Sequence, residues 1–417
     1  MTTQTAKEAT VSMTTQNAQN SQNAQNSQNG KDAKASSQAK PAKANLRDFS
    51  MLIALVIISV VFSVMDPAFL SSRNLSQLAI ELSATAVLSL GMLLIIVPGH
   101  IDLSVGSGLG LVGGLAAVLV TGKGLSAPLA LLISALVSVA IYAGMGAIIV
   151  REKIPSFIIT LGGLLVFKGV HWLVINNSTI PVVTGGDQNL YSVLTTYYLP
   201  PALGYALGAV IIALLGLAAF NNLKKRRARK LAADAEGAFL NWFVSAQLLA
   251  LFVLVLNQYR GLPLSLLVLG ATAFVIHVLS QHFRFGRYLY AIGGNEEAAL
   301  VSGVPTGKVV VLAYAVMGVI VAISGFLQTA FAGASTTTTG ALMELDAIAA
   351  CVIGGTSLKG GRGTVVGVLF GALIMCVLLN GMTLLALSPE MKFIARGVVL
   401  ALAVWMDVRL SRSTARA

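Results

Sequence analysis

Apolar stretches of about membrane length follow one another from residue 49 to residue 407, and they constrain this chain more than any other feature. A helix crossing a ~30 Å hydrocarbon layer needs roughly 20 mainly apolar residues. Candidate spans lie near 49–65, 77–97, 103–121, 127–149, 155–175, 199–220, 239–257, 263–280, 309–331, 341–355, 364–387 and 391–407. The composition agrees: 56% of the 417 residues are hydrophobic and 11% charged, against about 25% charged in a soluble domain. The expected fold is an all-α polytopic membrane protein with about 10–12 transmembrane helices.

Two places break the helical pattern. Pro98-Gly99-His100-Ile101-Asp102 interrupts an apolar stretch from Gln77 to Val120. The run Gly333–Gly340 leads through Glu344 and Asp346 into Ala341–Gly355, which at 1.5 Å per residue reaches about 22 Å and is too short to span alone. Irregular backbone at membrane depth survives only inside protein or beside a water-filled cavity, so broken or re-entrant segments are expected here. Acidic and hydroxyl side chains on such segments mark transport pathways. Asp102, Ser104 and Ser107 are the candidates on one side, and Thr336, Thr337, Glu344, Asp346 and Asn380 on the other. An ordinary turn with a tilted helix is the competing reading, and Ser104 and Ser107 also suit helix N-caps.

The charges give a topology. With the N-terminus in the cytoplasm, 22 of the 28 Lys and Arg residues fall in the tails and even-numbered connections, including Lys224–Lys230. Outside lie Arg73, Lys123, Arg260 and Lys392, while Lys168 and Arg396 fall within spans. That asymmetry places both termini in the cytoplasm. The net charge of +12 is then explained by topology and by contact with anionic membrane lipids, with no nucleic-acid partner needed. Residues 1–46, with their tandem Asn-Ala-Gln-Asn-Ser-Gln hexamers at 17–28, are expected to form a disordered Gln/Asn-rich cytoplasmic tail. They do not have the pattern of a signal peptide. Residues 47–410 are the expected transmembrane domain, and 411–417 a cytoplasmic C-terminal tail.

No catalytic constellation is visible. Cys351 and Cys376 lie in apolar runs, and His100, His171, His277 and His282 have no metal-ligand spacing. Gly303-Val-Pro-Thr-Gly307-Lys308-Val309 is one residue short of a nucleotide-binding loop and lacks its Ser/Thr. No enzyme activity, metal or cofactor is expected. The informative stretch is instead the connection 281–308. Asn295 suits an N-cap, Glu296 and Glu297 favour the positive end of the helix dipole, and Gly303 and Pro305 stop the helix. A helix of about two turns has little intrinsic stability, so its order is expected to come from docking on a cytoplasmic partner, a solvated linker helix being the competing reading.

Glu297-Ala298-Ala299-x-x-x-Gly303 resembles the coupling signature of ABC importer permeases. With its lead-in Ala291-Ile-Gly293-Gly294-Asn295, the loop is similar to that of the monosaccharide branch of that family. Gly99-His-Ile-Asp-Leu-Ser-Val-Gly-Ser107, Ile154–Gly163 and Leu345–Gly363 carry the same resemblance, which covers about residues 47–410. The segments Lys224–Lys230 and Asn257–Pro263 look most like the xylose-transport type. His100 stands where Gly is usual, and Cys351 where an aliphatic is usual.

The resemblance implies an ABC importer permease fold in a bacterial inner membrane. It also implies translocation of a monosaccharide, xylose or a related aldose, driven by separate ATPase subunits and fed by a periplasmic sugar-binding protein. A second permease copy would complete the pathway. Gly293, Gly294, Asn295, Glu296, Glu297, Ala298, Ala299 and Gly303 would form the ATPase-coupling element. A bulky charge at Ala299 would then uncouple ATP hydrolysis from uptake without disturbing insertion. The alternatives are a branched-chain amino-acid permease and an ion-driven secondary transporter.

Overall fold

A computed structural model describes residues 46–183, 186, 188–229 and 234–414. The expected disordered tail therefore lies, except for Leu46, outside the described residues.

Each expected span coincides with a helix. In chain order these are α1 Leu46–Met65, α2 Ser72–Ile96, α3 Val105–Ala117, α4 Ala127–Glu152, α5 Ser156–Val174, α6 Leu190–Thr196, α7 Pro201–Ala228 and α8 Ala235–Asn257. There follow α9 Leu264–Gln281, α10 Arg284–Gly294, α11 Glu296–Val301, α12 Thr306–Ala332, α13 Met343–Ile353, α14 Val365–Leu384 and α15 Pro389–Thr414. α6, α10 and α11 are short helices in connections. The last helix runs through residue 411, where a tail was expected to begin. Among the described residues, nine helices are long and apolar enough to cross a membrane.

The helices sort by how much of their surface other helices cover. α2 is almost wholly enclosed, and α12 and α14 largely so, whereas α7 and α8 show apolar side chains all round. Leu214, Phe220, Leu240 and Leu248 are each more than half exposed. In a membrane that surface meets acyl chains, so α2, α3, α12, α13 and α14 make the core and α7–α8 the lipid-facing edge. Small and hydroxylated residues hold the core together, as expected where burial from water gives no driving force. Ser324 Oγ donates to the Ala84 carbonyl at 2.8 Å, and Ser138 Oγ to the Gly318 carbonyl at 2.7 Å.

The connections gather at two ends, with α5 and α12 running between them. At one end, short antiparallel strands pair: β1 Ile180–Pro181 with β4 Ala334–Ser335, and β2 Tyr198–Leu199 with β3 Leu262–Pro263. At the other end, the 97–101, 153–157, 290–307 and 357–363 segments meet.

Candidate functional site

The segment after α12 does not simply turn at the membrane surface. It runs back into the protein alongside α3, a helix whose glycines let other backbone come close. A β-carbon on Gly114 would lie 2.9 Å from Ser335 Oγ, and one on Gly110 would lie 2.5 Å from the Thr339 carbonyl oxygen. One on Gly106 would strike the Glu344 carboxylate and the Gly340 carbonyl. Residues 335–344 thus descend past three successive turns of α3. Left-handed backbone at Gly340 (φ +81°) and Leu342 (φ +65°) then turns the chain into α13. α13 has 11 residues, about 16 Å of helix, and the irregular segment supplies the rest of the crossing.

That backbone satisfies its polar groups locally, as irregular chain at this depth requires. Thr336 N–H donates to Thr339 Oγ1 at 2.9 Å, and Thr339 N–H to the Thr336 carbonyl at 3.0 Å. Thr336 Oγ1 also lies 3.2 Å from Thr339 Oγ1. Trp172 Nε1 donates to the Thr337 carbonyl at 3.0 Å, and His171 Nε2 lies 3.0 Å from Ser335 Oγ. The four-threonine run is therefore a set of side-chain acceptors and donors where a helix or sheet ladder is missing. Thr336 and Thr337 stay partly accessible, and Glu344 is buried against α3.

The second break is compact. Asp102 is fully buried, and its Oδ1 accepts from Ser104 N–H at 2.8 Å and from Ser104 Oγ at 2.6 Å. Among the described residues its Oδ2 has no hydrogen-bond partner. Ser104 occupies the N-cap position of α3, but its hydroxyl serves Asp102 and makes no capping bond. Ser107 Oγ donates back to the Ser104 carbonyl at 2.9 Å. The first turns of α5 fix the same segment: Ile101 N–H donates to Ser156 Oγ at 3.1 Å, and Thr160 Oγ1 to the Ile101 carbonyl at 3.2 Å.

The remaining two candidates make bonds between helices. Asp346 Oδ1 on α13 accepts from Arg396 Nε on α15 at 2.9 Å. Asn380 on α14 exchanges amide hydrogen bonds with Asn74 on α2, at 2.8 and 3.2 Å. α3 and the descending segment thus pack the threonine run and Glu344 along successive turns of α3, with Ser107 bonded back to the Asp102 turn, whereas Asp346 and Asn380 are engaged elsewhere.

The first break and the chain leaving α13 converge on α10–α11. Asn295 is extended (φ −164°), and its Oδ1 accepts the Ala298 N–H at 2.9 Å, opening α11 with Glu296 and Glu297 in the first turn. Gly303 (φ +82°) closes it, with Val304 N–H donating to the Ala299 carbonyl at 3.0 Å. Ala299 is buried, while Leu300 and Val301 are 61% and 89% exposed. A bulky charge at Ala299 would therefore be forced beneath the helix, and the outward face is carried by its neighbours.

Gly293, at the end of α10, sits where a β-carbon would strike the Val97 carbonyl and the Gly361 amide. The Gly361 N–H itself donates to that Val97 carbonyl at 2.9 Å, and Tyr290 OH donates to the Gly363 carbonyl at 2.8 Å. Gly294, by contrast, has open space around its α-carbon. α10 is thus pinned to the chain leaving α2 toward Asp102 and to the chain leaving α13. A cavity of about 720 Å³ opens beside α11 between Gly99–Ile101, Lys153–Phe157 and Glu296–Glu297. Burial lowers the proton affinity of His100 in its wall, opposed by the Glu296 carboxylate.

Residues 74–404 match the family model described as branched-chain amino acid transport system / permease component. The chain belongs to that family. The xylose transport system permease protein of Haemophilus influenzae is 40% identical over 375 residues, covering 88% of this chain and 98% of that protein. Its counterpart in Escherichia coli K12 is 37% identical over 375 residues, covering 88% and 93%. The ribose import permease protein of Escherichia coli K12 is 33% identical over 365 residues, covering 88% and 95%. No solved structure matches the chain. This permease is a multi-pass protein of a bacterial inner membrane, and its family carries transport rather than catalysis. Among its described residues no group of acidic, His and Cys side chains is placed to hold a metal ion.

Sequence reasoning passed over several partners in the permease core. Asn74, His171, Trp172 and Arg396 complete the polar contacts of Asn380, Ser335, Thr337 and Asp346. Polar and charged residues inside predicted spans were the available signal, since each needs a partner in hydrocarbon.

Proposed function

We propose that this chain is the membrane-spanning subunit of an ABC importer for a five-carbon aldose, xylose first among them. ATPase subunits dock on α11, and a periplasmic binding protein delivers sugar at the strand-bearing end. Both termini and α10–α11 then face the cytoplasm, as the basic residues favour. A second copy completes the pathway, and anionic lipids contact the basic ends of the spans. The observation that carries the reading is the attachment of α10, through Gly293, to Val97 at the start of the first break and to Gly361 in the chain leaving α13. Closure of the ATPase subunits would push α11, whose exposed Leu300 and Val301 offer apolar anchors. α10 moves with it as a rigid element, displacing the Asp102 turn and the foot of α13 together. Ser107, Thr336, Thr337 and Glu344 line the path that changes as α3 and α13 shift.

The substrate follows from the relatives, whose names specify xylose and ribose; the family description alone would allow branched-chain amino acids. The test is uptake into proteoliposomes holding this chain with its ATPase and binding protein. Labelled xylose should accumulate only with internal ATP, ribose more slowly, and leucine not at all. Accumulation of leucine, or uptake that follows an ion gradient without ATP, would overturn the assignment.

A further inference from the structure

The α7–α8 hairpin contributes nothing to the segments described above, yet it carries the densest charge in the chain. Pro201 to Phe220 are 20 residues of α7, about 30 Å of helix, which fills the hydrocarbon layer. Asn221 and Asn222 then mark the boundary, and Lys224, Lys225, Arg226, Arg227 and Arg229 lie at headgroup level. Across the hairpin, Trp242 on α8 packs against α7 below that level, its Nε1 donating to the Ile212 carbonyl at 3.1 Å.

Between the two helices, from Leu215 up to Arg226, is a crevice of about 320 Å³. Its polar wall is Asn222, Arg226, Asn241 and Ser245. Ser245 Oγ donates to the Asn241 carbonyl at 2.7 Å. Asp234 also reaches the crevice, but its Oδ1 caps α8 by accepting the Gly237 N–H at 2.8 Å. Among the described residues Arg226 has no ion-pair partner. The crevice continues into a second, nearly apolar one of about 250 Å³, lined by Ala219, Phe220, Ala238, Phe239 and Trp242 and open to the lipid side. A cationic mouth above an apolar slot fits a molecule with an anionic head and a hydrocarbon tail.

We infer that the α7–α8 crevice is a binding site for one anionic phospholipid, with its phosphate on Arg226 and an acyl chain in the slot beside Phe239 and Trp242. The amide side chains of Asn222 and Asn241 supply further hydrogen bonds to the head. A bound lipid fastens the hairpin, whose outer face is otherwise uncovered, to the leaflet bearing the basic cluster.

Native mass spectrometry of the full chain, released from detergent micelles, tests this with phosphatidylglycerol, phosphatidylcholine and inorganic phosphate as probes. The wild type should retain phosphatidylglycerol one to one, and Arg226→Gln should bind it about fivefold more weakly, the effect of one cation near an anionic lipid. Arg229→Gln removes the same charge outside the crevice and should leave the retained lipid unchanged. Equal loss in both variants would mean diffuse attraction to the cluster and would overturn the site. Equal retention of phosphatidylcholine, displacement by millimolar inorganic phosphate, or a second copy of the chain in place of lipid would also overturn it. Ala238→Leu, which fills the slot, should lower retention with the phosphate contacts intact. Unchanged retention there would refute the acyl-chain assignment.

Discussion

Removing Arg396 tests whether Asp346 holds α13 in place or serves the transported molecule. The two side chains are 19% and 4% exposed and meet at 2.9 Å, so Arg396→Gln leaves a buried carboxylate without its counter-charge. Breaking a buried pair from one side costs about 3–5 kcal/mol. Water that reaches the partly exposed arginine site should keep the loss near the lower figure, about 3 kcal/mol. Asp346→Asn leaves the arginine, whose long stem can carry its charge toward water. Its loss should be that of one charge-assisted hydrogen bond, about 1.5–3 kcal/mol. In the double variant the uncompensated charge is gone and two amides of suitable length face each other. It should be more stable than Arg396→Gln alone, with a coupling energy of about 2 kcal/mol between the sites. Reversible unfolding in mixed micelles measures the four stabilities, and uptake in proteoliposomes measures function. Should Arg396→Gln lie within about 1 kcal/mol of wild type, or the double variant lose the full sum of the singles, the pair does not stabilise α13. A double variant that folds and fails to transport would return Asp346 to the pathway.

Leu300→Asp should leave insertion and stability unchanged and abolish ATP-driven uptake, because the side chain is largely exposed, whereas Ala299→Asp should lower stability by at least about 2 kcal/mol by burying a charge; denaturation midpoints and uptake of the two variants separate these effects. Gly110→Val should cost about 3 kcal/mol or more, since the descending segment leaves no room for a β-carbon, while Gly162→Ala, facing open space, should be neutral or slightly stabilising in the same unfolding assay. A reporter active only in the cytoplasm should work when fused after Arg229 and stay silent after Tyr259; the reverse pattern would put α11 out of reach of any ATPase.

Helix number and placement were legible in the sequence because hydrocarbon thickness sets a minimum run length, and each of the twelve runs became a helix. The two breaks were legible for a related reason: Pro98-Gly99 and the four-threonine run cannot continue an apolar helix at low cost. The position of the descending segment was not legible. It depends on close backbone approach at Gly106, Gly110 and Gly114, and α3 has glycines on every side, so composition alone does not say which of them faces which neighbour. Contacts such as Asn74 with Asn380, 306 residues apart, are equally hidden, because a polar residue in a span announces a need for a partner without naming it.

On α11 the burial of single residues separates positions that the motif groups together. Six residues of helix held by one N-cap and one left-handed glycine leave a single inward position, and it falls on Ala299. The small side chain there permits α11 to lie flat against its support. The signature's second alanine is thus a packing requirement, and the outward contact passes to Leu300 and Val301, which the motif does not specify. Gly293 extends the same logic. It belongs to the lead-in, yet it makes the closest approach to Val97 and Gly361, while Gly294 beside it is unconstrained. Under the proposed function, a push on α11 would reach the start of the first break and the end of α13 through backbone rather than through a chain of side-chain contacts. Backbone contacts of that kind do not depend on which side chains line the path. Under the proposed function, side chains of α3 and the descending segment can then change without altering that backbone attachment.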